Sequence, residues 1–209
     1  MMSEETGAMD QNEIPPGVLL QEAQALIQAA YQATDEERLA VLLRWAQEIL
    51  EPLMQAQEPA ALWLYATLLK LKAQIAEIGL DDKAFAEDYW RLIRTAAAGG
   101  HAEAQFALAC ELDDPETAAE SARLFQAAAE QGHTHALWVH GLNLLGGKGI
   151  PQEKELALRV IRQAAQKNFE GAIRFLADAY AHGDHGFEKD EELAAAWRQR
   201  LFNPDLVEY

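Results

Sequence analysis

The sequence predicts an all-α protein built as a short solenoid of paired helices, and three observations carry this prediction. A tract recurs, reading AAGGHAEA at 97–104, AAEQGHTHA at 128–136 and AAQKNFEGA at 164–172. The equivalent turn positions Gly100, Gly132 and Asn168 are spaced 32 and then 36 residues apart. A period of about 35 residues is typical of helical units that stack because no single unit buries its apolar face alone. Alanine is abundant and long β-branched runs are missing, which favours helix nearly throughout.

The N-terminal quarter of the sequence is predicted to form a tail followed by two helices. Residues 1–15 are polar, acidic and without periodicity, so we expect a disordered tail. Apolar residues at helical spacing predict a helix over 17–32. Thr34 and Glu37 form a candidate capping box for the next helix, and Pro52 and Pro59 bracket its expected end. Residues 16–56 match the repeat poorly, so this segment is predicted to be a helical cap or a diverged repeat.

Residues 57–203 form the predicted repeat region, in which two types of helix alternate. The first type opens with alanine and has a small residue five positions later, which lets two helix backbones approach closely. These pairs are Ala61 and Ala66, Ala104 and Ala109, Ala136 and Gly141, and Ala172 and Ala177. The second type ends in Ala-Ala and is followed by Gly or Asn, which accept the left-handed conformation of a helix cap. Residues 204–209 are predicted to be a frayed tail.

The loops within the later repeats contain spaced glycines followed by one apolar residue. They read GGKGIP at 146–151 and GDHGFEKD at 183–190, and Ile150 and Phe187 are expected to pin them to the core. This loop pattern, the alanine and small-residue pairs and the AAxxGHxxA tract together resemble the Sel1-like repeat, a relative of the tetratricopeptide repeat. The best copies span 104–172, a diverged copy spans 61–104, and a partial copy extends to about residue 202.

The resemblance implies a right-handed α-α superhelix that acts as a non-catalytic adaptor or scaffold and binds a protein or peptide on its concave face. Two copies depart from the pattern. The copy at 104–136 has a shortened connection at 110–115 without the glycine loop, and the copy at 61–104 has an insertion around 72–80. Such irregular edges either bend the superhelix locally or mark a binding surface.

The net charge of −17 limits the classes of partner. This charge repels nucleic acids and anionic membranes at long range and attracts a basic protein partner. Solubility alone is the competing explanation for an acidic surface. The N-terminal segment lacks the features of a secretory signal, and no run of 18 uncharged apolar residues occurs, so we expect a cytoplasmic protein. The single cysteine, Cys110, is expected to be a buried structural thiol.

No motif of an enzyme or cofactor site is present in the sequence. There is no phosphate-binding loop, G-x-S-x-G, H-E-x-x-H or C-x-x-C motif, and we expect neither a cofactor nor catalysis. The clustered histidines are expected to have local structural roles, and His133 occupies a turn position of the repeat. Paired acids occur at 36–37, 81–82, 113–114 and 191–192, each at or just before a predicted helix start. Acids there complement the helix dipole, which explains them without acid–base catalysis.

The candidate binding residues lie on the first helices of the pairs, which line the concave face in such folds. They are Trp63, Gln105, His140, Asn143, Arg174 and Asp178. We expect the polar members to be exposed, whereas Trp63 and Trp138 could equally belong to the core.

The leading interpretation of function is an adaptor, and the alternative is a cytosolic immunity or inhibitor protein that caps a bacterial toxin or effector. A nucleic-acid mimic and a metal-dependent hydrolase are weaker hypotheses. The expected oligomeric state is a monomer or a weak homodimer, with Trp197, Leu201 and Phe202 as one place for self-contact.

Overall fold

The computed structural model describes residues 14–76, 82–112 and 114–203. These residues form helices and no strands, which confirms the all-α prediction. The helices are α1 (Pro16–Gln32), α2 (Glu36–Gln55), α3 (Pro59–Ile75), α4 (Lys83–Ala98), α5 (Ala102–Glu111), α6 (Ala118–Glu130), α7 (Thr134–Gly146), α8 (Lys154–Gln166), α9 (Glu170–His182) and α10 (Glu191–Arg200). The predicted tails, apart from residues 14 and 15, lie outside the described residues.

The chain divides into two compact units, Met1–Leu92 and Ile93–Tyr209, and the boundary falls within α4. In the first unit α1 packs on α2, and α2 packs on α3. Its core contains Ile27 of α1, Leu50 of α2 and Leu68 of α3, all essentially removed from solvent. The three apolar stripes therefore meet in one shared core.

The ends of α2 differ from the sequence prediction. Asp35, rather than Thr34, is the N-cap residue, and its Oδ1 accepts a hydrogen bond from the Arg38 backbone N–H at 2.7 Å. A carboxylate at this place also complements the helix dipole, which a hydroxyl does not. The helix continues past Pro52 to Gln55: proline lacks an N–H to donate, but its carbonyl still accepts from the Ala56 N–H.

In the second unit the helices from α5 to α10 pack each on the next in chain order. The small residue of each first helix is buried at these contacts, as predicted for Ala109, Gly141 and Ala177. Gly141 shows why size matters: a Cβ built on it would lie 2.6 Å from the Ile161 Cγ1 of α8. A side chain at residue 141 would therefore require the Ile161 side chain to shift.

The turns between the pairs follow the predicted pattern. Gly100, Gly132 and Asn168 have φ of 93°, 83° and 62°. The residue after each turn donates its backbone N–H to a carbonyl five positions earlier, as from His133 to Ala128 at 3.1 Å. This is the hydrogen-bond pattern of a helix closed by a left-handed residue. The same next residue is the N-cap of the following first helix, so one short turn ends one pair and starts another.

The loop from α7 to α8 lies against the preceding helix pair. A Cβ on Gly149, whose φ is 74°, would lie 2.2 Å from the backbone oxygen of Ala118 in α6. Ile150 and, in the next loop, Phe187 pack against the core, as predicted. Gly149 is thus required by a close approach between two backbones.

The connection from α5 to α6 lacks such a loop, and Cys110 beside it is exposed, so the prediction of a buried thiol is wrong. The reason is local. With no glycine loop folded back over the end of α5, the last turn of that helix stays open to solvent. Partial desolvation nevertheless raises the pKa of the Cys110 thiol, which therefore remains protonated at neutral pH.

Candidate functional site

The six predicted binding residues do not lie on one element. Trp63 belongs to α3 in the first unit and is half-buried. The other five lie in the second unit, on α5, α7 and α9, which are the first helices of their pairs. The helix assignment thus agrees with the sequence prediction, but three of the polar side chains, Gln105, His140 and Asn143, are buried instead of exposed.

Gln105 is buried, contrary to the expectation of an exposed polar residue. Its Nε2 donates to the Ala97 backbone oxygen at 3.3 Å, and its Oε1 accepts from Gln131 Nε2 at 2.9 Å. The amide therefore joins the ends of α4 and α6 to α5. This side chain supports the turns and is not available to a partner.

His140 is also buried, with 7% of its surface exposed. Its Nδ1 has no hydrogen-bond partner among the described residues. Burial lowers the pKa of His140, and the nearby Glu130 offsets this only in part. In register, His140 occupies the place held by Leu108 in α5 and by Leu176 in α9. A polar ring therefore stands where the other repeats have an apolar side chain.

Asn143, one turn further along α7, lines a cleft of about 420 Å³. The cleft is formed by the end of α5, the connection to α6, the first half of α6 and the second half of α7. Its lining includes Ala109, Cys110, Leu112, Ser121, Val139 and Asn143. Asn143 is 8% exposed, and its side-chain amide makes no hydrogen bond within the described part of the chain. The polar atoms of this amide are not fully buried, so solvent in the cleft can satisfy them.

Arg174 and Asp178 of α9 are exposed, as predicted. The Arg174 guanidinium pairs with Glu170 one turn earlier, with an Nη2–Oε1 distance of 2.7 Å. An exposed pair at this spacing contributes little to stability, on the order of 0.3–0.5 kcal/mol. The side chains of Arg174 and Asp178 are therefore free to rearrange on contact with a partner.

Sequence reasoning missed a row of rings on the first helices of the second unit. Successive ring centroids lie 4.5–6.0 Å apart. We call this the aromatic row, and its members are Phe106, His133, His135, Phe169, Trp138, Phe175 and His185. His135 and His185 are exposed, and the other rings are half-buried.

Four of the seven members of the aromatic row occupy equivalent repeat positions, and this is the sequence signal that could have revealed part of the row. His133 and Phe169 are both N-cap residues, and Phe106 and Trp138 both stand two residues after the opening alanine of their helices. His133 Nδ1 accepts from the Ala136 backbone N–H at 3.1 Å, which confirms its expected role in the turn. Burial lowers the pKa of His133, so Nδ1 stays unprotonated and able to accept.

Other chemistry-bearing groups have structural explanations. Asp82 caps α4 by accepting from the Phe85 backbone N–H at 2.9 Å, and Glu191 and Glu192 lie in the first turn of α10. Among residues 14–76, 82–112 and 114–203, no group of three or more His, Cys, Asp or Glu side chains is arranged to hold a metal ion. None of the helices in these ranges combines the length and apolarity needed to cross a bilayer.

Solved structures match this fold. A Sel1 repeat protein from Oxalobacter formigenes aligns with a TM-score of 0.65 and 18% identity, over 91% of this chain and 74% of that one. A second match is c5321, a protective antigen of uropathogenic Escherichia coli with an SLR fold. Its TM-score is 0.57 and its identity 22%, over 91% of this chain and 46% of that one. No protein-family model and no curated protein sequence matches this chain. The recurring tract and these structural matches together show that the chain has the fold of Sel1-like repeat proteins.

Proposed function

We propose that this chain is a non-catalytic module that binds a protein partner through the first helices of its second unit. The observation that carries the proposal is the aromatic row. Half-buried rings present apolar area together with polar edges, and they lose little conformational entropy when a partner covers them. Repeat folds of this kind are typically protein-interaction scaffolds, and the row follows the helices that would line the concave face.

The exposed residues beside the row suit a protein contact better than a small-molecule site. Arg174 and Asp178 of α9 are exposed and offer charge and hydrogen bonds, and His135 is an exposed ring of the row itself. An apolar centre with a polar edge is the usual anatomy of a protein interface. The net charge of −17 favours a basic partner through faster association. We propose a cytoplasmic adaptor, and an inhibitor that caps one toxin is the alternative within the same class.

Affinity capture from a native lysate tests this proposal, with the bound proteins washed at about 0.1 M and about 1 M salt. We expect one stoichiometric partner that survives the high-salt wash, because an apolar interface is insensitive to screening. Partners that all vanish at high salt would show only the effect of net charge, and the proposal would then be wrong. A titration of the purified pair separates the alternatives: an inhibitor binds one-to-one and tightly, an adaptor more weakly.

Two variants assign the interface. Trp138→Ala removes the ring that contacts both Phe169 and Phe175 and should abolish capture. Trp45→Ala is the matched control, because Trp45 is a half-exposed tryptophan of α2 outside the row. Circular dichroism must show that both variants remain folded. Equal loss of the partner in both variants, or in neither, contradicts the assignment.

A further inference from the structure

We infer that the partner of the aromatic row presents an arginine side chain, which stacks on the rings where α7 meets α9 and pairs with the Asp178 carboxylate. This inference rests on the proposed function and names the chemistry of the partner at one place in the row. It goes further than the attraction of a basic protein by net charge, because it selects arginine over lysine and assigns the contact to one acid.

Charge is distributed unevenly between the two types of helix in the second unit. The second helices α6, α8 and α10 carry five acids and six bases, which nearly balance. The first helices α5, α7 and α9 carry four acids and one base, which are Glu103, Glu111, Glu170 and Asp178 against Arg174. The excess negative charge of these six helices therefore lies on the helices that carry the aromatic row, and it favours a cation there.

Helical spacing places Asp178 on the face of α9 that meets the aromatic row. A Cβ built on Gly171 would lie 3.5 Å from the Trp138 Cε2, so this face turns toward α7. Phe175 follows one turn later on the same face, and its ring centroid lies 6.0 Å from that of Trp138. Asp178 stands three residues after Phe175, and residues three or four apart are neighbours on a helix surface. An exposed carboxylate therefore lies one turn from this pair of half-buried rings.

The Asp178 carboxylate has no cationic partner within the described part of the chain. Arg174, four residues earlier, pairs instead with Glu170, with an Nη2–Oε1 distance of 2.7 Å. The His182 Nδ1 lies 2.9 Å from the backbone oxygen of Asp178 and leaves its carboxylate untouched. One arginine thus lies between two acids of α9 and serves the first of them. Asp178 is the acid that a cation of the partner can pair with.

Two lysines lie near the ends of this surface, and neither forms an ion pair with Asp178 among the residues that the structure describes. The Lys154 Nζ lies 3.5 Å from the Cβ position of Gly186, in the short turn that also contains Asp184. Lys148 lines the cleft beside α5, α6 and α7. The positive charge of the chain is therefore placed away from the step between Phe175 and Asp178.

A ring next to a carboxylate selects arginine over lysine. A guanidinium is planar and weakly hydrated, so it stacks on a ring while its N–H groups bind a carboxylate through two parallel bonds. An ammonium is a compact, strongly hydrated charge and cannot do both as well. The chain uses the same contact internally, since the Arg200 guanidinium carbon lies 5.7 Å from the Trp197 ring centroid. Leu142, 37% exposed, holds in α7 the place of Asp178 in α9 and offers apolar surface for a leucine beside the arginine.

Three synthetic hexapeptides with blocked ends test the inference. Each has glycine at both ends, leucine next to each glycine, and two identical residues at its centre. The central residue is arginine in the first peptide, lysine in the second and citrulline, the uncharged analogue of arginine, in the third. In calorimetric titrations at about 0.05 M salt, the arginine peptide should bind at least about twofold more tightly than the lysine peptide. It should bind at least about fivefold more tightly than the citrulline peptide, which has the shape but not the charge.

Asp178→Asn assigns the contact to one carboxylate. Asparagine keeps the size of the side chain and removes its charge, so the variant should bind the arginine peptide at least about threefold more weakly. Its affinity for the citrulline peptide should not change. Glu155→Gln, at an exposed acid of α8, is the matched control and should leave both affinities unchanged. Because both side chains are exposed, circular dichroism should show that both variants keep the parent fold.

Equal binding of the three peptides, no binding of the arginine peptide, or the same arginine-peptide affinity in Asp178→Asn and the parent chain each overturns the inference. An equal loss of affinity in Asp178→Asn and Glu155→Gln also overturns it, because net charge alone would then explain the binding. The capture experiment with Trp138→Ala tests the proposed function separately. If Trp138→Ala abolishes capture while the three peptides bind equally, the row binds the partner and the arginine contact is wrong.

Discussion

Two helix pairs of the second unit solve the same packing problem in different ways. In the pair of α7 and α8, Gly141 lets the helices approach closely, and the loop carrying Gly149 packs on α6. In the pair of α5 and α6, Ala109 replaces the glycine, and its carbonyl accepts from Ser121. The corresponding residue of α8 is Ala157, which is fully buried. The first solution uses close backbone contact, and the second uses one hydrogen bond and leaves a cleft.

The repeat can therefore lose its glycine loop without losing its helix pair. The turns that flank the two pairs, at Gly100, Gly132 and Asn168, all keep their left-handed residues and hydrogen bonds. The pair therefore depends on its turns and its small residues, and the loop is the part that can vary. A varying loop is also where binding sites commonly arise.

The largest expected effect comes from Gly149→Ala, which attacks the close loop contact. A Cβ would lie 2.2 Å from the Ala118 oxygen, and the φ of 74° is strained for alanine. We expect the free energy of unfolding to fall by about 3 kcal/mol, measured by urea denaturation. Gly146→Ala is the control, because nothing lies within 4 Å of its Cβ position, and it should be neutral. Equal stability of the two variants would mean that the loop does not pack as described.

Gly141→Ala gives α7 the residue that α5 has at the equivalent position, Ala109. The new Cβ would lie 2.6 Å from Ile161 Cγ1, so α7 and α8 must separate slightly. The expected loss is about 1–2 kcal/mol, because the better helix propensity of alanine offsets part of the overpacking cost. The same denaturation measurement checks it. A gain in stability would show that the close approach is not required.

The burial of His140 leads us to expect that the stability of the protein depends on pH. Its pKa in the folded chain is below the unfolded value, so the unfolded chain binds the proton more readily. Stability is therefore complete above about pH 6.5, is lost as the pH falls through that value, and levels off below the folded pKa. The slope contributed by one such group cannot exceed about 1.4 kcal/mol per pH unit.

The variant His140→Leu restores the residue type found at the equivalent positions Leu108 and Leu176. It should flatten the pH dependence of the unfolding free energy measured between pH 8 and pH 5. Part of the dependence should remain, because burial also lowers the pKa of His133. If the pH dependence of the unfolding free energy is identical in the variant and the parent chain, the whole dependence arises from other groups.

Ser121→Ala is expected to have the smallest effect on stability. It gives α6 the residue that α8 has at the equivalent position, Ala157. It removes the hydrogen bond to the Ala109 carbonyl, so we expect a loss of about 1 kcal/mol. Thermal unfolding followed by circular dichroism measures the change. Gln126→Ala, on the exposed side of the same helix, should change stability by no more than about 0.5 kcal/mol. An effect of Ser121→Ala no greater than that of Gln126→Ala would mean that packing alone holds α5 against α6.

Local rules predicted the turns and the close contacts. Gly100, Gly132 and Asn168 were identifiable because few residue types accept a positive φ. The small residues five positions after each opening alanine were identifiable because their spacing repeats. The end of α2 was less predictable: Thr34 and Asp35 are both good caps, and the choice between them depends on the path of the preceding chain.

The binding residues were harder to predict because exposure depends on the neighbouring helices. Gln105, His140 and Asn143 look like surface residues in the sequence, yet α6 and the turns around them remove all three from solvent. The aromatic row was hidden for the same reason, since its rings come from turn and helix positions far apart in the chain. Spacing along one helix does not report which rings of different helices meet.

The sequence by itself determined the helical repeat, its turns and the position of the missing glycine loop, because these follow from backbone preferences and short-range periodicity. The tertiary structure alone decided which side chains are buried, where rings of different helices come together, and that a cleft lies beside α5, α6 and α7. These depend on the volume and hydrogen bonds supplied by residues distant in the sequence, which no local pattern records.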